Sequence, residues 1–389
     1  MKLTLSVAAA VMLISGCGAG IPITVAPIPP IAGQLANFDV VEINQATHRL
    51  YVADRTDQGI DVFDTAGSQA RFLTTIPLSS SPNGLAVAPE LARLFVGTSS
   101  GSVLVIDTNN DSNAVVAEVA TGKGEVDLLD YGAARQRLYA ANGADGSITS
   151  IDTTTNTIAA NFKVDTTTAV TLEQPRFDPG DGMVYVTSPS AGTLYRIDPN
   201  NGQVKSFALG TCTPMGLAIN PKSNQAVIVC TTFVMTWDLT AGRSMTSFHQ
   251  VIGGDVVTYD AKVDRFIVAS PHLTRANVVA LFGGNPIDYV ASIDTGAHGN
   301  AAVLDEAHGM IYTPNPQLKR SGIAGFALAA VPQPPPAWWT QATTVGVPLA
   351  LVALLVLLFL FIMRSADPAR RPAPRAPKPA QPAPKPEGA

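Results

Sequence analysis

The chain has 389 residues, of which 46% are hydrophobic and only 14% charged, with a formal net charge of −5. That length holds one large domain or two ordinary ones, and the charge leaves no basic footprint for nucleic acid. Residues 364–389 carry six basic and two acidic residues, a net of +4, which leaves −9 to the rest of the chain; such asymmetry goes with two parts in different surroundings.

The N-terminus reads as a secretory signal over residues 1–16. Met1-Lys2 is a short positive start, and the apolar run Leu3 to Ile14 is too short for a good membrane span. It ends in Ile14-Ser15-Gly16-Cys17, which resembles the lipobox of bacterial lipoproteins. The resemblance implies that Cys17 is lipidated and that residues 17–20 form a lipid-anchored tether. Buried acyl methylenes would supply the anchoring.

Residues 21–331 carry an internal repeat. Arg49-Leu50-Tyr51-Val52-Ala53 is followed by Gly59-Ile60-Asp61-Val62-Phe63-Asp64-Thr65, and the pair returns as Arg93-Leu94-Phe95-Val96 with Val103-Leu104-Val105-Ile106-Asp107. It comes again around Tyr139 and Tyr185, and in weaker copies around Ile228, Ile267 and Tyr312. These seven anchors lie 44, 44, 46, 43, 39 and 45 residues apart. A period of 40–45 residues with several short strands per unit is the signature of a propeller blade. Each unit offers four strand signals, for example Gly84 to Val87, Arg93 to Gly97, Ser102 to Asp107 and Val115 to Val119. The Asp that closes the third strand is placed to accept backbone N–H groups in the turn that follows. The expected fold is all-β: a seven-bladed β-propeller of four-stranded blades, followed by one C-terminal transmembrane α-helix. The units resemble YVTN-type β-propeller repeats, with Tyr185-Val186-Thr187-Ser188 the nearest copy of the motif; the first four match well and the last three depart from it.

The seventh unit has three strands, at Asn300 to Leu304, Met310 to Thr313 and Gly322 to Leu328, before the proline run that starts at Pro332. Ile21 to Ile28 reads as a Pro-bearing edge strand. It is expected to complete blade seven and close the ring like a clasp, which removes the open sheet edges.

Residues 332–344 form a Pro-rich linker with Trp338 and Trp339. Residues 345–363 are an uncharged Leu/Val-rich run of 19 residues, roughly 28 Å as a helix and close to the hydrocarbon thickness. Arg364, Arg370 and Arg371 follow it, which puts the Pro/Ala-rich tail, residues 364–389, in the cytoplasm and the propeller outside. Both anchors then belong to the cytoplasmic membrane. The tail's basic residues suit anionic lipid.

Chemistry-bearing patterns are sparse. No Cys-x-x-Cys-His, Walker A or Gly-x-Ser-x-Gly motif occurs. His48, His249, His272, His298 and His308 are scattered and read singly as surface or turn residues. Cys212 and Cys230 stand open between a disulfide and two separate buried thiols; a rough register puts Cys230 beside Met215 or Gly216, which favours separate thiols. Function in propellers gathers where loops enter the innermost strands at the channel mouth. Those positions are Asp39, Asn83, Glu125, Asp127, Arg176, Met215, Asp255, His298 and Asn300. If the four carboxylates Asp39, Glu125, Asp127 and Asp255 converge, repulsion raises their pKa values or invites a hard cation such as Ca²⁺. Two functions follow: a non-enzymatic binding or scaffolding module with a protein partner at the propeller face, or a metal-assisted hydrolase or lactonase-like enzyme at the channel mouth.

Overall fold

The computed structural model describes residues 21–29, 35–122, 124–271, 277–316 and 321–331. The signal segment, Cys17, His272, the Pro-rich linker, the expected transmembrane run and the tail lie outside them. Among the described residues no helix is long and apolar enough to cross a membrane.

Seven antiparallel sheets of four strands form the blades, and in six of them the strands are consecutive in the chain. Blade one is Phe38–Asn44, Arg49–Asp54, Gly59–Asp64 and Arg71–Pro77, counted from the axis outward. The inner strands of successive blades pack side by side, and that of blade one also meets blade seven. Each blade is covered on both faces by its neighbours. This explains why second strands read as nearly continuous apolar runs: all of Leu50 to Asp54 and Leu94 to Thr98 are buried. The outer strands Ala114–Ala120 and Thr157–Lys163 are largely exposed.

Blade seven consists of Val303–Asp305, Met310–Asn315 and Gly322–Ala327, and its fourth strand is Thr24–Pro27. Thr24 pairs with Gly325 and Pro27 with Gly322, and the amide of Ile28 donates to Ser321 O at 2.9 Å. The clasp read from the sequence is therefore formed.

The Asp residues that close third strands do accept turn amides: Asp64 from Ala66, Asp107 from Asn109, Asp152 from Thr154 and Thr155, and Asp198 from Asn200. Three of them also pair with an arginine directly opposite on the second strand: Arg49 with Asp64 (3.1 Å), Arg93 with Asp107 (2.8 Å) and Arg137 with Asp152 (2.8 Å). Register corrects one anchor. Gln225 lies opposite Asp238 as Arg49 lies opposite Asp64, so the blade-five counterpart of Tyr51 is Val227, not Ile228.

Cys212 and Cys230 form a disulfide with Cα atoms 5.2 Å apart, against the expectation of separate thiols. A bulge between Pro214 and Leu217 adds a residue to the inner strand, so Cys230 faces Pro214 rather than Met215 or Gly216. The turn closed by the Cys212 amide on Leu209 O then brings Cys212 within reach.

Candidate functional site

The inner strands all begin at one end of the axis. Val41, Leu85, Leu129, Leu217 and Val257 each pair with the fourth residue of their second strand, Val52, Val96, Ala140, Ile228 and Val268, and Pro175 pairs with Val186, the third residue of the shorter second strand Val184–Ser188. In blade seven Val303 pairs with Tyr312, one position earlier, so Ala302 is the counterpart. Two residues before these positions stand Asp39, Asn83, Asp127, Glu173, Met215, Asp255 and Asn300. All of them line one cavity of about 440 Å³, together with Arg55, Ser81, Ser99 and Glu125. In blades one, two, three and five a bulge precedes the paired position. An extra residue there kinks the strand and re-aims its neighbour, here toward the axis.

One residue after six of the seven paired positions stand Glu42, Asp130, Arg176, Ala218, Thr258 and Val303, and these line a second cavity of about 390 Å³ at the other end of the axis. The channel therefore has two tiers.

Of the nine residues expected at the mouth, seven line it: Asp39, Asn83, Glu125, Asp127, Met215, Asp255 and Asn300. Arg176 does not; it belongs to the lower tier. Pro175-Arg176 looks like Pro214-Met215 in sequence, yet Pro175 pairs with Val186 in the middle of its second strand and Pro214 with Cys230 at the end of its own. Blade four supplies Glu173 instead. His298 is exposed and away from the cavity, with its Nε2 3.4 Å from Asn277 Nδ2. Arg55 was missed because it comes from the hairpin between the second and third strands, which folds over the mouth only in the blade.

Five carboxylates, Asp39, Glu125, Asp127, Glu173 and Asp255, thus face one cation, Arg55. Arg55 pairs with Asp39, and its Nη2 donates to Asn83 Oδ1 at 3.0 Å. Asn83 Nδ2 donates onward to Val126 O at 3.1 Å, joining blades two and three. Gln174 ties blades four, five and six: its Oε1 accepts from the amides of Leu217 (2.7 Å) and Val257 (3.3 Å), and its Nε2 donates to Val257 O (3.1 Å). This buried frame fixes the inner strands that carry the acids.

Desolvation by the surrounding ring raises four of the mouth carboxyls, Asp39, Asp127, Glu173 and Asp255. Asp39 is pushed up to about 7 and Asp255 to about 6, with other acids adding to the rise and Arg55 opposing it. Glu173, beside Asp127 and hydrogen-bonded to it, rises to about 9, and Asp127 is raised too. Most of these side chains keep some open surface on the channel, yet protein on every side denies them full hydration. In the lower tier burial lifts Glu42 to about 7 and raises Asp130, with Arg176 pulling both down; Arg176 Nη1 lies 3.5 Å from Asp130 Oδ1. The mouth can therefore receive a cationic group, which would favour release of the protons these acids retain. For a metal, the arrangement is less apt. Among the described residues, the group of three whose ligand atoms close to within 4.8 Å of one another is His48, Asp305 and His308, outside the mouth.

Fold and channel together define a seven-bladed β-propeller with an acidic axial mouth. It is similar in fold to the WD40 repeats of RRP9, with a TM-score of 0.64 and 14% identity over 79% of this chain and 99% of that one. A chain of the mitotic checkpoint complex is also similar, with a TM-score of 0.62 and 12% identity over 84% of this chain and 98% of that one. At such identities the likeness is one of fold. No protein-family model and no curated protein matches the sequence.

Proposed function

We propose that the chain is a non-enzymatic binding module, a YVTN-type propeller displayed on the outer face of the cytoplasmic membrane, whose mouth receives a Lys- or Arg-bearing segment of a protein partner. The observation that carries this reading is the mouth itself, where five carboxylates meet one arginine. A basic side chain entering there offsets the desolvation and mutual repulsion that raise Asp39, Asp127, Glu173 and Asp255. Propellers of this shape occur in assemblies, as the mitotic checkpoint complex illustrates. The disulfide Cys212–Cys230 suits an oxidising compartment, in keeping with the lipobox-like Cys17, the apolar run 345–363 and the arginines after it.

The test is binding of the detergent-solubilised full-length chain to a fluorescent Lys/Arg-rich peptide and to its Asp/Glu counterpart. The basic peptide binds, more weakly as salt rises, more tightly from pH 6 to pH 8, and about tenfold more weakly once Asp127→Asn and Asp255→Asn are combined, a loss of about 1.4 kcal/mol. Equal binding of both peptides, or indifference to the double substitution, would sink the reading. Membrane display is checked separately: the chain stays with membranes through alkaline carbonate, and Cys17→Ser removes a metabolically incorporated fatty-acid label.

A further inference from the structure

His48 ends the turn that joins the first two strands of blade one, and Asp305 and His308 flank the matching turn of blade seven. The sequence separates these turns by some 260 positions; ring closure makes them neighbours. Gln45 already bridges the seam there, donating through Nε2 to Leu304 O at 2.6 Å and accepting the Glu306 amide at 3.1 Å. One ligand atom from each of His48, Asp305 and His308 lies within 4.8 Å of the other two. Asp305 is fully buried, and its Oδ1 accepts the Ala307 amide while Oδ2 lies 2.8 Å from His308 Nδ1. The imidazoles meet edge to face with centroids 5.9 Å apart. His48 Nδ1 is sealed from solvent and has no hydrogen-bond partner, although a buried polar atom left so costs about 1–3 kcal/mol. His48 sits at φ +54°, the turn geometry that Ala92, Gln136, Asn224 and Asp264 adopt at the matching position of other blades.

We propose that His48, Asp305 and His308 form a binding site for a divalent ion of the zinc class, which rivets blade one to blade seven. Two imidazoles and one carboxylate suit zinc and its first-row neighbours, whereas Ca²⁺ and Mg²⁺ take oxygen-rich shells. Ligand atoms up to 4.8 Å apart must draw in by about 1 Å or more to lie on tetrahedral bonds of about 2.0–2.2 Å, a movement open to the exposed His308 side chain. The short Asp305–His308 contact holds the His308 ring beside the carboxylate. The ion gives the two imidazoles a shared partner and adds a further fastening to a seam already held by the clasp strand, by Gln45 and by the packing of Val303, Tyr312 and Ile323 into the blade-one core.

The experiment uses the full-length chain stripped of metal with dipicolinate. Zn²⁺ is titrated against a chromophoric chelator, and Co²⁺ serves as a spectroscopic probe. Saturation at one Zn²⁺ per chain is expected, with a melting temperature raised by about 4 °C at a hundredfold excess over Kd. Visible Co²⁺ bands should appear as well. His48→Asn, which the φ > 0 position tolerates, and His308→Gln should each weaken Zn²⁺ binding at least about tenfold and abolish the bands. Each variant is read against its own metal-free melting temperature, because His308→Gln also alters a hydrogen bond to the buried Asp305. Should His48→Asn fail to fold, the exposed His308 carries the test alone. Absence of saturable binding, or binding that survives substitution of His308, overturns the site.

Discussion

A Cβ on Gly216 would stand 2.2 Å from the carbonyl oxygen of Asp255 and 3.0 Å from the amide nitrogen of Val257, both in the backbone of the next blade. On Gly84 it would meet Asp127 O at 2.3 Å. Both glycines follow a mouth residue, Met215 and Asn83, in strands that carry the bulge. Inner strands of neighbouring blades approach so closely that any side chain at these positions must push backbone aside. Gly216→Ala is therefore expected to cost about 2 kcal/mol or more, while Gly67→Ala, where the nearest atom is 3.9 Å away, should stay within about 0.5 kcal/mol. Urea denaturation of the two variants checks the difference. The same substitution should also loosen the mouth, because Asp255 rides on the displaced strand.

At the scale of elements, the clasp is the part most open to test. Thr24–Pro27 supplies the outermost strand of blade seven, and Ile28 is buried beside it among the blade-one core. Removing residues 21–29 exposes the edge of Gly322–Ala327 and strips about one buried Ile and several ladder hydrogen bonds. A cost of roughly 5 kcal/mol follows from about 2–3 for the Ile and about 1 per lost bond. The truncated chain should melt earlier and less cooperatively; an unchanged transition would show that the ring closes without the clasp. This element was legible in the sequence because blade seven ran out of strands at Pro332 while Ile21 to Ile28 had no blade of its own. The position of Arg176 was not legible, since a Pro-x pair marks a strand start only when the register beyond it is known. Nor was the disulfide, which depends on a single bulged residue.

At the scale of the whole molecule, the raised carboxyls set a slope of stability with pH. In the unfolded chain Asp and Glu lose their protons near pH 4. Folded, Asp255 holds its proton to about 6, Asp39, Glu42 and Asp61 to about 7, and Glu173 to about 9. The folded state thus binds more protons between pH 4 and pH 9, and stability falls as pH rises through that window. On the acid side Asp152, held down to about 2 by hydrogen bonds from Thr154 and then Thr155, with Arg137 assisting, acts in reverse: its contribution is present above pH 4 and lost toward pH 2. The melting temperature should peak near pH 4–5 and decline by several degrees at pH 8, and Asp255→Asn should flatten that decline. A flat profile for the unsubstituted chain would show that the mouth acids are better hydrated than their surroundings imply.

The number of blades, the order of strands within them, the clasp and most of the mouth were legible in the residues alone. Period, alternation and turn chemistry are local properties that repeat, and a repeat of about 44 residues has few ways to bury its apolar strands. Which residues share a tier of the channel, and which turns meet across the seam, emerged only from the closed ring. Those depend on register and on bulges, where one residue more or less moves a side chain from one end of the axis to the other. Glu173 and Arg176 are three positions apart in the chain and at opposite ends of the channel; His48 and His308 are distant in the chain and adjacent once the ring is closed.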